Sequence, residues 1–286
     1  MVKPAPTPPA TDAQLLDDVQ ERTFRWFWEL AHPNGLIPDR WPTRSFASVS
    51  ATGFGLTAYP IGIERGWISR AAGRDRVLAT LRFLAGAPQG AEPSGTIGYR
   101  GFFYHFLDPE SGRRFERVEL STIDTTFLLG GVLFCQSYFD RDDPAEREIR
   151  ALAETLYGRV EWDWAQPLRP AISHGWHPED GWIASDWRGY NEAMLLYILA
   201  LGSPTHPVDP AAWGEWTRPY RVVDFQGQHY VDFAPLFGHQ YSHVWVDFRG
   251  IRDEAMRRLG WDYFENSRRA TLAQRQWAIA NPRGWK

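Results

Sequence analysis

The chain of 286 residues has little sulfur: one cysteine and three methionines. A single cysteine excludes an internal disulfide and a thiolate zinc cage. That residue, Cys135, lies inside FLLGGVLFCQSYF, where a buried apolar thiol is expected rather than a nucleophile. No run approaches the ~20 apolar residues of a membrane-spanning helix. Excess positive charge is missing as well. A formal net charge of −4 leaves no basic footprint for nucleic acid and no polybasic membrane patch. The opening MVKPAPTPPATDAQ is Pro-rich and lacks the apolar centre of a signal peptide. The expected compartment is therefore the cytoplasm, or the periplasm should a leader have been lost.

Aromatic residues are abundant: 15% of the chain, with 15 Trp. Indole N–H groups need partners when buried, so many Trp should sit at partly open positions. Flat aromatic faces beside polar groups suit the apolar C–H faces and hydroxyl rims of pyranoses. The same residues would also serve as packing filler in a helical fold.

Residues 1–11 read as a disordered Pro-rich tail and 12–286 as one domain. Helical periodicity predicts helices over Asp12–His32 with Thr11 as cap, Ser48–Arg65, Ser69–Leu84, Ser121–Phe139, Pro144–Tyr157, Ile251–Leu259 and Tyr263–Ala280. Residues 96–118 alternate aromatic and polar positions around DPESG, a hairpin signature, and ISHGWHPEDGWIASDW predicts a second short hairpin. Gln228–Asp247 reads as aromatic and irregular. No βαβ rhythm is present, so the fold class is mostly α, built of helical pairs with hairpin insertions.

GFGLTA at Gly53–Ala58 has the spacing of a dinucleotide loop, but ASVSAT before it is a poor strand; close helix packing explains the glycines better. GHQYSH places His239 and His243 four apart, yet Gln240 stands where a zinc protease has its Glu; polar lining is the preferred reading. No metal or other cofactor is expected.

Two carboxylates start strongly apolar helices. STIDTTFLL fits a capping box, with Ser121 as N-cap and the Asp124 carboxylate folded onto the N-cap amide. In DWRGYNEAMLLYILALG, Asn191 suits the N-cap and Glu192 the first turn. Capping alone accounts for both. Each, however, begins a core helix and follows an aromatic hairpin able to wall it. Glycoside hydrolysis needs such a pair, one carboxyl raised in pKa to protonate the leaving oxygen and one to activate water or attack carbon. Aromatic neighbours that desolvate a carboxyl supply that shift, which makes Glu192 the candidate acid.

The segments TFRWFWELAHPNGLIPDR, ATGFGLTAYPIGIERGW, VELSTIDTTFLLGG, DWRGYNEAMLLYILALGSPTHP, PLFGHQYSHVWVDFRG and DYFENSRRATLAQRQWAIANP together resemble the bacterial glucoamylase-like proteins, which include the endo-β-1,2-glucanases of glycoside hydrolase family 144. The glucoamylase-like region of cyclic β-1,2-glucan synthases is similar too. The resemblance implies an (α/α)6 toroid whose inner helices start at the open end of a saccharide cleft. It implies Glu192 as a catalytic carboxylate and Asp124 at the Glu of an Asp-x-x-Glu-Thr pattern, whose leading Asp is here Ser121. Glu119, two residues before Ser121, is the alternative second carboxylate. Arg40, Trp187, Tyr190, Asn191, His239, Tyr241, His243 and Trp245 are the expected subsite residues.

Relatives continue beyond NP-x-GW, so the toroid is expected to be incomplete at its C-terminus, with self-association through exposed apolar faces. The expected function is an inverting-type glycosidase on a bacterial β-glucan, β-1,2-linked, whose partner is an oligo- or polysaccharide rather than nucleic acid or membrane. The alternatives are a non-catalytic carbohydrate-binding fragment and a transglycosylase on the same substrates.

Overall fold

The computed structural model describes residues 11–43 and 45–285. The tail expected over 1–11 lies outside the described residues except for Thr11. That residue caps helix α1 (Asp12–Leu30), its hydroxyl accepting from the Gln14 amide. Strands β1 (Ile37–Pro38) and β2 (Ala47–Ser48) lead into α2 (Val49–Glu64), capped by Ser48, and α3 (Arg70–Gly86), capped by Ser69. These boundaries fall within two residues of the periodicity-based prediction, because each helix is opened by a serine or threonine that satisfies an orphan N–H.

The aromatic stretch forms β3 (Gly98–Tyr99), β4 (Phe102–Tyr104) and β5 (Phe106–Leu107). Its tight hairpin turns at Arg100 and Gly101, both at positive φ, rather than only at DPESG. DPESG closes a separate loop through a Leu107–Arg114 bridge. Strand β6 (Leu120–Ser121) runs into α4 (Thr122–Tyr138), followed by α5 (Pro144–Gly158). The second predicted hairpin is β7 (Gly175–His177) with β8 (Gly181–Trp182).

The two hairpins are not independent. They join across β6 into one antiparallel sheet of order β3-β4-β6-β7-β8. Strand β5 instead pairs with β2 in a second sheet, of order β1-β2-β5.

Helices α6 (Met194–Leu201) and α7 (Ala212–Thr217) follow, then the hairpin β9 (Val222–Phe225) and β10 (Gln228–Val231). Two short 3-10 turns, Leu236–His239 and Tyr241–Val244, occupy the stretch expected to be irregular. Helix α8 (Glu254–Leu259) starts later than the sequence suggests because Asp253 is its cap, and α9 (Tyr263–Ala280) matches the prediction.

The architecture is the expected mostly-α toroid type: α4 packs on α2 and α6, α1 and α3 pack on α2, and α5 packs on α3 and α4. Helix α2 meets α4 along a seam of glycines: a Cβ on Gly53 would lie 2.2 Å from the Phe127 carbonyl oxygen, and one on Gly131 would lie 2.1 Å from that of Gly53. GFGLTA is therefore a packing motif. Cys135 is buried at the same seam, its thiol 3.2 Å from the Leu56 carbonyl and its pKa pushed up by burial.

Candidate active site

The starts of three helices bring the polar groups together. Asp124 stands in the first turn of α4, Ser50 in that of α2, and Glu192 two residues ahead of α6. Asp124 is buried, and the Ser121 hydroxyl donates to its Oδ2 at 2.5 Å while accepting from its amide at 3.1 Å. The expected capping box is thus half formed. Ser121 caps, but the carboxylate turns to the hydroxyl, because Ser121 itself belongs to β6 and pairs with Phe103 and Gly175.

His105, between β4 and β5, sits between two carboxylates. Its Nδ1 is 2.7 Å from Glu119 Oε1 and its Nε2 is 3.5 Å from Asp124 Oδ2. The donor atoms of His105, Glu119 and Asp124 lie within 4.8 Å of one another, the one group of three among the described residues with the spacing of a cation site. The 2.7 Å contact is a hydrogen bond, in which the two side chains use those atoms on each other.

Burial raises the pKa of Asp124, opposed by His105 and by hydrogen bonds from Ser121 and Ser50. Burial also raises Glu192, reinforced by the negative charge of Asp124, and the buried Glu192 Oε2 has no hydrogen-bond partner. Two coupled carboxyls cannot both ionise cheaply. The donors converge on Asp124, while a buried oxygen of Glu192 remains bare.

Glu192 is placed by its neighbours rather than by a helix cap, which corrects the sequence reading of Asn191. The Asn191 Oδ1 accepts from the Ala193 amide at 3.0 Å and from the Trp216 indole at 3.2 Å, and α6 begins only at Met194 with no side-chain cap. Ser242 then clips the turn in place, accepting from the Leu195 amide at 3.1 Å and donating to the Glu192 carbonyl at 3.3 Å.

An aromatic wall stands beside the pair. Phe54 of α2 and Phe127 of α4 pack on Tyr241 with ring centroids 5.0 and 5.4 Å away, and Trp245 stacks on Phe127 at 5.7 Å. Trp245 is held by an indole hydrogen bond of 2.9 Å to Thr57. The Tyr241 phenol is raised by burial and by the charge of Glu192.

The remaining expected subsite residues divide into two groups. Trp187, Tyr190, Asn191 and His239 are buried. Trp187 donates to Thr122 at 3.0 Å and stacks on His174; Tyr190 meets Ser267 at 3.1 Å and stacks on His239. His239, pushed down to about 4 by burial, and His243, bonded to Ser267 at 2.9 Å, lie in successive 3-10 turns rather than on one helical face. Arg40 is exposed, forms an ion pair with Asp39 at 2.8 Å and lies over Phe46. It lines a surface cavity of about 420 Å³ with Trp41, His32 and Glu110.

Sequence reasoning missed His105, Ser50, Phe54 and Phe127. A lone histidine in the aromatic run FFYHFLD was the available signal.

Residues 184–286 match the glycoamylase family, described as "putative glucoamylase". An exo β-1,2-glucooligosaccharide sophorohydrolase (non-reducing end) of Parabacteroides distasonis is 30% identical over 98% of this chain, which spans 42% of that protein. A glucoamylase-type structure from Bacteroides fragilis superposes with a TM-score of 0.86 at 29% identity, covering 99% of this chain and 70% of that one. The endo-β-1,2-glucanase of Chitinophaga pinensis, in complex with sophorotriose and glucose, gives 0.84 at 26% identity, covering 96% and 69%. Residues 184–286 thus carry the glycoamylase-family match, and nearly the whole chain shares the helical toroid fold of these structures.

Proposed function

We propose that the protein is a glycoside hydrolase acting on a β-1,2-linked glucan, with Glu192 as general acid and Asp124 as general base. The observation that carries this reading is the asymmetry of the coupled carboxyls. Glu192 keeps a buried oxygen free of donors, so it holds a proton to deliver to a leaving glycosidic oxygen. Asp124 is surrounded by donors that favour its charged form, so it accepts a proton from an attacking water. The wall of Phe127, Tyr241 and Trp245 offers apolar faces to a sugar ring. Relatives named for the β-1,2 bond support that linkage.

The test is incubation with linear β-1,2-glucan and its oligosaccharides, read for new reducing ends and, by NMR, for an inverted anomer. Glu192→Gln and Asp124→Asn each lower kcat by about 10²–10⁴, the usual worth of a general acid or base, with KM little changed. Wild-type turnover in either variant overturns the assignment of that residue. Elongated or cyclic products in place of reducing ends make the protein a transglycosylase, and saccharide binding without any product makes it a non-catalytic binder.

A further inference from the structure

We propose that Glu119 and His105 form a positioning relay that keeps Asp124 ionised: Glu119 holds the His105 ring protonated and aimed, and the imidazolium faces the Asp124 carboxylate. The proposal rests on the reading of Asp124 as the base and gives Glu119 a role other than that of a second base.

The geometry is built rather than incidental. The His105 amide donates to the Glu119 carbonyl at 3.0 Å, and its own carbonyl accepts from the Val49 amide at 3.2 Å, so its backbone is fixed between β6 and the start of α2. The ring stacks on Phe106 with centroids 3.8 Å apart, which fixes its plane. Nδ1 is engaged by Glu119 at 2.7 Å, and Nε2 is left pointing at Asp124.

The charged groups that act on this ring are Asp39 from the loop after β1, Glu119 from the approach to β6 and Asp124 from α4, and all three are acidic. Burial works against charge on His105, but the Glu119 hydrogen bond and these negative charges outweigh it and the ring rises above its ordinary 6.5. Burial likewise works against charge on Glu119, yet the His105 contact holds its carboxyl below the usual value. The pair is therefore ionic. A cation beside buried Asp124 opposes the desolvation that would protonate it.

Two readouts test the relay. In full-length protein carrying isotope-labelled histidine, with His105→Asn identifying the signal, the His105 ring titrates above the ordinary range, and Glu119→Gln lowers its midpoint. This measurement needs no turnover. On β-1,2-gluco-oligosaccharides, His105→Asn moves the acid limb of the kcat profile to higher pH and lowers kcat about tenfold near neutrality, less than the ~10²–10⁴ of losing the base itself, while KM changes little. Glu119→Gln shifts the limb the same way by less, and Glu119→Asp restores part of it.

A His105 ring that titrates at or below its ordinary value overturns the relay. So does an unmoved limb, or a Glu119→Gln variant as inactive as Asp124→Asn. Dependence of the profile on EDTA or added zinc overturns it in favour of a metal site. If Asp124→Asn instead turns over like wild type, the base assignment fails while the histidine titration still judges the ion pair.

Discussion

Ser121 serves stability and chemistry through one hydroxyl. Its Oγ accepts from the Asp124 amide and donates to the Asp124 carboxylate, so removing it uncaps α4 and strips the proposed base of a 2.5 Å hydrogen bond. Ser121→Ala is expected to cost about 1–2 kcal/mol in urea denaturation, as N-cap losses do. It should also raise the acid limb of activity, since Asp124 then binds its proton more readily. Ser121→Thr keeps both bonds and should recover both properties. The capping role was legible because Ser-x-x-Asp before an apolar run is a local signal. The direction taken by the carboxylate was not legible, because Ser121 is also a strand residue paired to Phe103 and Gly175, more than ten positions away on either side. His105 was missed for the same reason: nothing local couples it to Glu119.

At the level of elements, helix existence and type could be read wherever a cap residue preceded a periodic run, as for α1 to α5 and α9. The start of α6 could not. Asn191 looks like a cap in sequence, but its amide oxygen is claimed by the Trp216 indole of α7 as well as by Ala193, and this tertiary demand delays the helix. The glycine seam between α2 and α4 makes a sharper prediction. Gly131→Ala would set a methyl 2.1 Å from the Gly53 carbonyl oxygen, a backbone atom that no rotamer change can move aside. The expected cost is at or above the ~1–3 kcal/mol of ordinary overpacking, measured as a fall in denaturation midpoint. Gly214→Ala in α7, where an added Cβ meets nothing within 4 Å, should be neutral or stabilising by about 0.5–1 kcal/mol. Because Asp124 stands on α4 and Ser50 on α2, a forced seam should also lower activity.

At the scale of the whole molecule, the mostly-α fold was legible from periodicity, whereas the union of two hairpins into one five-stranded sheet was not, since strands of two or three residues carry almost no pattern. That union places β6, and so the start of α4, at the centre of the site. Assembling two buried carboxyls there has a global consequence. Glu192 has its folded pKa raised above the ordinary 4.5, first by burial and then by Asp124. A carboxyl raised in this way contributes its full stability below its unfolded value and loses it as pH climbs through the folded one. Above that window the native state carries a buried charge the unfolded chain exposes to water. Glu192→Gln should therefore raise the Tm at pH 8 relative to wild type, and the difference should vanish below about pH 4, where the unfolded carboxyl is itself protonated. The same substitution is expected to lower kcat by about 10²–10⁴, so one variant gains stability where it loses chemistry. A Tm difference that stays constant across pH would mean that the Glu192 carboxyl is solvated in the native protein, and the proton needed for leaving-group departure would then have no holder.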